Sequence, residues 1–218
     1  RIYVDHARPV AFANAWVPST SFYRGHYQDR EAYIYPDAAF GLRDMILDRT
    51  RTSDSARSRI YVSRGTAQWR RIVNQDGLSG LLDCFGFTTV RMEEMSAAEQ
   101  IDTLSRAEIV VMPIGAGPPI TLFAPPDCIV LELANRHIVG TFGAMMMAHV
   151  LGSVYHRFVG EDAPSPGLEG RPMVDMAYRL SMSAVAAALD AAVDLSSRRR
   201  LDSEQRRKQI HLQATRLD

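Results

Sequence analysis

The strongest constraint on the fold is a change of rhythm at Arg59. From there to Val159, short apolar runs ("RIYVS", "FTTVRM", "EIVVMPI", "CIVLEL", "SVYHRFV") alternate with helical segments ("GTAQWRRIVNQDGLSGLLDCFG", "SAAEQIDTLSRA", the turn "TLFA", "GTFGAMMMAHVLG"). Several of the runs are mostly apolar, so they read as strands buried on both faces of a sheet. Intervening helices provide the cover and make the strands parallel. The predicted class is α/β, a parallel sheet with helices on both faces, in the manner of nucleotide-binding domains. Ser96 followed by Glu99 predicts a capping box at the start of one helix.

The flanks follow other patterns. "RIYVD" and "AFANAWV" read as short strands, and "YPDAAFGLRDMIL" as a helix with Pro36 in its first turn. "TRTSDSAR", from about residue 50 to 57, is small, polar and unpatterned, and is the candidate linker. Three regions follow: 1–55, part of an N-terminal domain; 56–170, the sheet domain; and 171–218, C-terminal helices. In the last, "MVDMAYRLSMSAVAAALDAAVDL" carries an apolar stripe. The arginine-rich tail after it is diluted by acids and glutamines, and reads as a solvated helix rather than a nucleic-acid arm.

Arginine plus lysine equals aspartate plus glutamate at 25 each, so no global field draws the chain to nucleic acid or to an anionic membrane. Any anion site has to be local. Cys84 and Cys128 lie inside apolar runs and are expected as buried thiols. Two cysteines exclude a disulfide framework and a four-cysteine zinc site. His137, His149 and His156 have no carboxylate or cysteine at metal-ligand spacing, so no metal is expected. The chain contains no Asn-X-Ser/Thr sequon and no apolar run of about eighteen residues. A cytoplasmic protein is expected, with peripheral attachment to the inner membrane left open.

Between two apolar runs, "IGAGPP" strips the chain of side chains at Gly115, Ala116 and Gly117. In an open parallel sheet, ligands bind beyond the carboxyl ends of strands, and a bare turn there lets main-chain N–H groups approach a phosphate or sugar. The same sequence also makes a tight strand-to-helix turn with no ligand. Arg64 closes the first strand of the alternating region, and Arg70 and Arg71 follow at the expected start of the next helix, well placed to clamp a diphosphate. Pairing with an acid such as Asp76 is the alternative for each. Glu132 ends the strand after the glycine turn, where an acid accepts from ribose hydroxyls or forms a cap or salt bridge.

Taken in order, these motifs resemble glycosyltransferase family 61. The matching residues are Tyr61, Ser63 and Arg64; Arg70, Arg71 and Asn74; Gly86, Phe87 and Val90; Glu99, Gln100 and Ile101; Gly115, Ala116, Gly117, Phe123 and Pro125; and Glu132. "WVPSTSFYRGHYQDREAYIYPDAAFGLRDMIL" looks like the segment upstream in that family, and "GSVYHRFVGE" like a strand of its bacterial members. The resemblance implies a metal-independent inverting transferase of the GT-B type, in which two Rossmann-like domains face a cleft and the C-terminal one holds the nucleotide-sugar. This chain would supply that domain and part of the other. Its histidine before Gly-Ala-Gly is Ile114 here, Pro118, Pro119 and Ile120 replace its Leu-X-Asn, and Gln75 replaces a glutamate. Two polar donors are thereby absent.

Arg64 and either Arg70 or Arg71 are expected at the donor diphosphate, with Asn74 also expected in the donor site. The main chain of 115–117 would serve phosphate or sugar oxygens, and Glu132 the ribose. The base that deprotonates the acceptor is expected on the N-terminal side, where His6, His26 and Asp29 are the candidates. No cofactor is implied: the donor, UDP-linked in expectation, is a substrate. The acceptor is a glycan or lipid-linked glycan of bacterial surface polysaccharide synthesis. Two other readings stand beside this one. One is a non-catalytic nucleotide or sugar-phosphate binding module, and the other an interaction protein acting through its arginine-rich C-terminal helix.

Overall fold

The computed structural model describes residues 22–24, 32–34, 36–50, 57–65, 67–115, 118–138 and 143–214. The strands expected at 1–5 and 11–17, and most of the expected linker, lie outside the described residues. β1 (Phe22–Arg24) and β2 (Ala32–Ile34) pair antiparallel, and α1 spans Pro36–Leu47 with the proline opening it as expected. There follow β3 (Ser58–Val62), α2 (Gln75–Cys84), β4 (Phe87–Val90), α3 (Ala97–Ser105), β5 (Ala107–Pro113), a 3-10 turn at Pro118–Phe123 and β6 (Ile129–Asn135). α4 (Gly143–Leu151), β7 (Val154–Asp162), β8 (Tyr178–Arg179) and α5 (Met182–Ala214) complete the described chain.

β3 to β8 form one six-stranded sheet in the order β4-β3-β5-β6-β7-β8, parallel except for β8, which runs antiparallel to β7. Both seven-residue central strands, β5 and β6, are buried at every position, as their mostly apolar sequences lead one to expect, with Glu108, Glu132 and Asn135 the polar exceptions. Alternation along each strand sorts the core into two layers. Tyr61, Ile109, Val111, Leu131 and Leu133 pack with Leu78 and Leu82 of α2 and Val185 and Leu189 of α5. Ile60, Val62, Val110, Met112 and Val130 pack on the other face with Leu104 of α3. The predicted parallel sheet with helices on both faces is therefore present. At α3 the hydroxyl of Ser96 accepts from the Glu99 N–H, and the Glu99 carboxylate accepts from the Ser96 N–H at 2.7 Å, completing the capping box.

Two expected helices start later than their sequences suggest. The segment from Gly65 becomes helical only at Gln75, because residues 70–73 hydrogen-bond instead to the chain beside β8. The N–H groups of Arg70 and Val73 donate to the carbonyls of Asp175 and Tyr178, and the Tyr178 N–H donates to the Arg71 carbonyl. Arg70 takes a left-handed conformation, φ 59°, which would interrupt a helix. Arg70 and Arg71 accordingly sit in an extended strap before α2, not at its start. The long C-terminal helix begins at Met182 rather than Met173, since residues 173–180 supply a 3-10 turn and β8.

From β3 the chain first adds β4 on one side and then, through α3, returns to add β5 on the other, so the order reverses between β3 and β5. Adjacent connections diverge there and leave a crevice beyond the strand ends, where ligands of such sheets bind. Among the described residues no helix is long and apolar enough to cross a membrane.

Candidate functional site

A cleft of about 290 Å³ occupies that crevice. Its walls include Tyr61, Ser63 and Arg64 from the end of β3, Pro113 from the end of β5, and Trp69, Arg70 and Arg71 from the strap. Arg64 reaches across the reversal point: its Nη1 donates to the Ile114 carbonyl at 3.1 Å, and its Cζ lies 3.9 Å from where a Cβ on Gly115 would stand. The Arg64 guanidinium therefore lies in ordinary van der Waals range of a Cβ position on the Gly115 main chain. Ala116 and Gly117, the rest of the bare turn, are outside the described residues, as are His6, His26 and Asp29.

The strap is fixed by contacts far away in sequence. The Asn74 amide donates to the Leu180 carbonyl at 2.8 Å while its carbonyl accepts from the Leu180 N–H at 3.1 Å. Asn74, expected at the donor, is therefore occupied as a two-point clip and does not line the cleft. Asp175, buried, receives Arg171 at 3.0 Å and faces Arg70 at 3.7 Å, beyond hydrogen-bond range. The Arg70 Nε is left buried without a hydrogen-bond partner. None of the three cleft arginines pairs with Asp76, and among the described residues no carboxylate forms a salt bridge with Arg64 or Arg71.

The cleft is consequently electropositive. Burial lowers the Arg64 pKa most and the neighbouring Arg70 charge next, while Tyr178, Asp175 and Tyr61 offset part of the fall. An anion entering there would relieve that repulsion and satisfy the Arg70 Nε. Arginines with planar, fork-shaped donors suit phosphate oxygens. At the floor, the Tyr61 hydroxyl donates to Gln75 at 3.1 Å, and burial keeps the phenol protonated above its ordinary range.

Glu132 is not brought to this cleft. Strand alternation turns it to the opposite face of the sheet from Tyr61, where it is 1% exposed and its Oε2 accepts from the Tyr155 hydroxyl at 2.6 Å and from Arg157 Nε at 2.8 Å. Ile114, standing where the family resemblance expects histidine, is buried in a small apolar cluster with Ala134 and Ile138.

Sequence reasoning missed three features of this end of the sheet. His137 and Asp162, just beyond or at the ends of β6 and β7, meet at 2.8 Å, a pair made by strand adjacency and invisible to local spacing. Arg171 lies over the Trp69 ring at 3.9 Å. Asp175 joins both to the strap. The cysteines divide: Cys128 is buried, which pushes its thiol up to about 12, whereas Cys84 at the end of α2 is exposed, contrary to expectation, because the helix turns that position outward.

Comparison with the curated proteins finds no match. The family model of Glycosyltransferase 61 matches residues 8–131, more than half of the chain, a span that contains Arg64, the strap, the glycine turn and β3 to β5. By that match, the chain belongs to glycosyltransferase family 61.

Proposed function

We propose that this chain moves a sugar from a nucleotide-sugar, UDP-linked in this reading, to a saccharide or lipid-linked glycan acceptor, with inversion, and that the donor diphosphate lies in the Arg64 cleft. One observation carries the reading: Arg64, Arg70 and Arg71 all line the cleft where the strand order reverses, and neither Arg64 nor Arg71 forms a salt bridge among the described residues. Positive groups fixed where charge develops on a departing diphosphate lower the barrier most, and here they supply it without help from a metal. Arg64 with Arg70 or Arg71 grips the diphosphate, and the main chain of 115–117 serves its oxygens. Asn74 and Glu132 act instead through the fold, since their polar atoms are engaged by Leu180 and by Tyr155 and Arg157. The sheet domain is the donor half of a GT-B arrangement. The base comes from the N-terminal side, from among His6, His26 and Asp29, and the product belongs to bacterial surface polysaccharide.

Calorimetric titration of Arg64→Ala tests the assignment. Loss of one charged fork from a semi-enclosed phosphate site is expected to weaken UDP roughly 10- to 100-fold. Unchanged UDP affinity refutes it. The apolar Ile114 favours a second reading, a binding module without transfer activity. Slow release of UDP from a UDP-sugar by the wild-type chain supports the enzyme, and binding without any release supports the module.

A further inference from the structure

Trp69 has no part in the assignment above. It is 38% exposed, a large apolar surface to leave open, and it lines the same cleft as Arg64 and Arg70. It is also braced from one side. Arg171 lies over the ring with its guanidinium carbon 3.9 Å from the ring centroid, and Asp175 in turn holds Arg171 through Nη2 at 3.0 Å and Nε at 3.3 Å. The Asp175 carbonyl receives the N–H of Arg70, the next residue in the chain, at 2.8 Å. Indole, guanidinium and carboxylate are thus one rigid stack tied to the phosphate-binding strap. A cation occupies one indole face, and Trp69 is among the residues that wall the cleft.

We infer that Trp69 is the platform on which the base of a nucleoside diphosphate stacks. A planar ring a ribose-length from a diphosphate matches an aromatic surface adjacent in sequence to the phosphate-binding arginines. Stacking of this kind tolerates any base, because each presents a π-face. Arg171 behind the indole completes a guanidinium–indole–base sandwich and fixes the ring before ligand arrives, so little side-chain freedom is lost on binding. The inference rests on the cleft being the diphosphate site, and the following experiment separates the two.

The 218-residue chain, its Trp69→Leu and its Trp69→Phe forms are titrated calorimetrically with UDP, GDP, inorganic pyrophosphate and glucose 1-phosphate. Trp69→Leu is expected to weaken UDP and GDP roughly 10- to 100-fold and to leave pyrophosphate unchanged. Trp69→Phe retains most of the affinity but loses ligand-induced quenching of indole emission. Unaltered UDP and GDP binding by Trp69→Leu, while pyrophosphate still binds, overturns the platform and spares the phosphate site. An equal fall for pyrophosphate means that Trp69 only shapes the loop, and a fall confined to glucose 1-phosphate means that it stacks a sugar ring; each refutes the inference. If the wild-type chain binds neither pyrophosphate nor UDP, the cleft assignment itself fails and the platform with it.

Discussion

Replacing Glu132 by glutamine separates two roles that the same carboxylate could have. In the structure it is 1% exposed and accepts from a phenol at 2.6 Å and from a guanidinium, itself 17% exposed, at 2.8 Å. Glutamine keeps the shape and the acceptor oxygen that receives both bonds but removes the negative charge: the Tyr155 bond becomes neutral and the Arg157 bond keeps only its cationic donor, each weaker by about 1 kcal/mol, so about 2 kcal/mol of stability should be lost. Alanine removes the acceptor oxygen of both bonds as well as the counter-charge, for which a loss of about 3–5 kcal/mol is expected. Urea unfolding monitored by circular dichroism reads both, the midpoint falling with little change in slope. Calorimetry on the folded Glu132→Gln protein should return wild-type affinity for UDP. The reasoning is refuted if stability is untouched while UDP affinity collapses, since Glu132 would then be the ribose ligand that its strand-end position suggests.

Gly160→Ala should destabilise the sheet edge. A Cβ there would stand 2.5 Å from Tyr178 Cδ2 and 2.8 Å from the Arg179 carbonyl oxygen, and Tyr178 is fully buried with its hydroxyl donating to the Leu133 carbonyl at 3.1 Å. A loss of at least 1–3 kcal/mol, roughly, is expected in urea unfolding, and an unchanged midpoint would contradict the packing. Alkaline unfolding is the second expectation. Burial first, with the Glu132 hydrogen bond and charge added at Tyr155, raises Tyr155 and Tyr178 above the ordinary 10.0. The unfolded chain releases these protons near pH 10 while the native one keeps them, so their stabilisation is complete below about pH 10 and is lost as pH rises toward the folded values. Tyr155→Phe should flatten part of the decline in melting temperature above pH 10, and an identical profile would show that Tyr155 carries none of it.

The sheet was legible because its strands announce themselves: β5 and β6 must be covered on both faces, and the capping box at Ser96 needs only residues within one turn. Arg64 and Gly115 were also readable, each closing an apolar run at a strand end. The strap was not. "GTAQWRRIVNQ" has helical composition, and its refusal to be helix depends on carbonyls of Asp175 and Tyr178, about a hundred residues downstream. Asn74 and Glu132 carried the right chemistry for a donor site, yet tertiary partners claimed both, Leu180 for one and Arg157 with Tyr155 for the other. Facing directions follow from register, and register across a crossover is not written in spacing. The His137–Asp162 pair has the same origin.

The matched family segment ends at Leu131, whereas Arg171, Asp175 and Leu180, which hold the strap and brace Trp69, all come later. A ribosome therefore delivers every arginine of the cleft long before the parts that give the cleft its shape. Until residues 171–180 emerge, the nascent protein lacks the clasp that holds residues 70–74 in place.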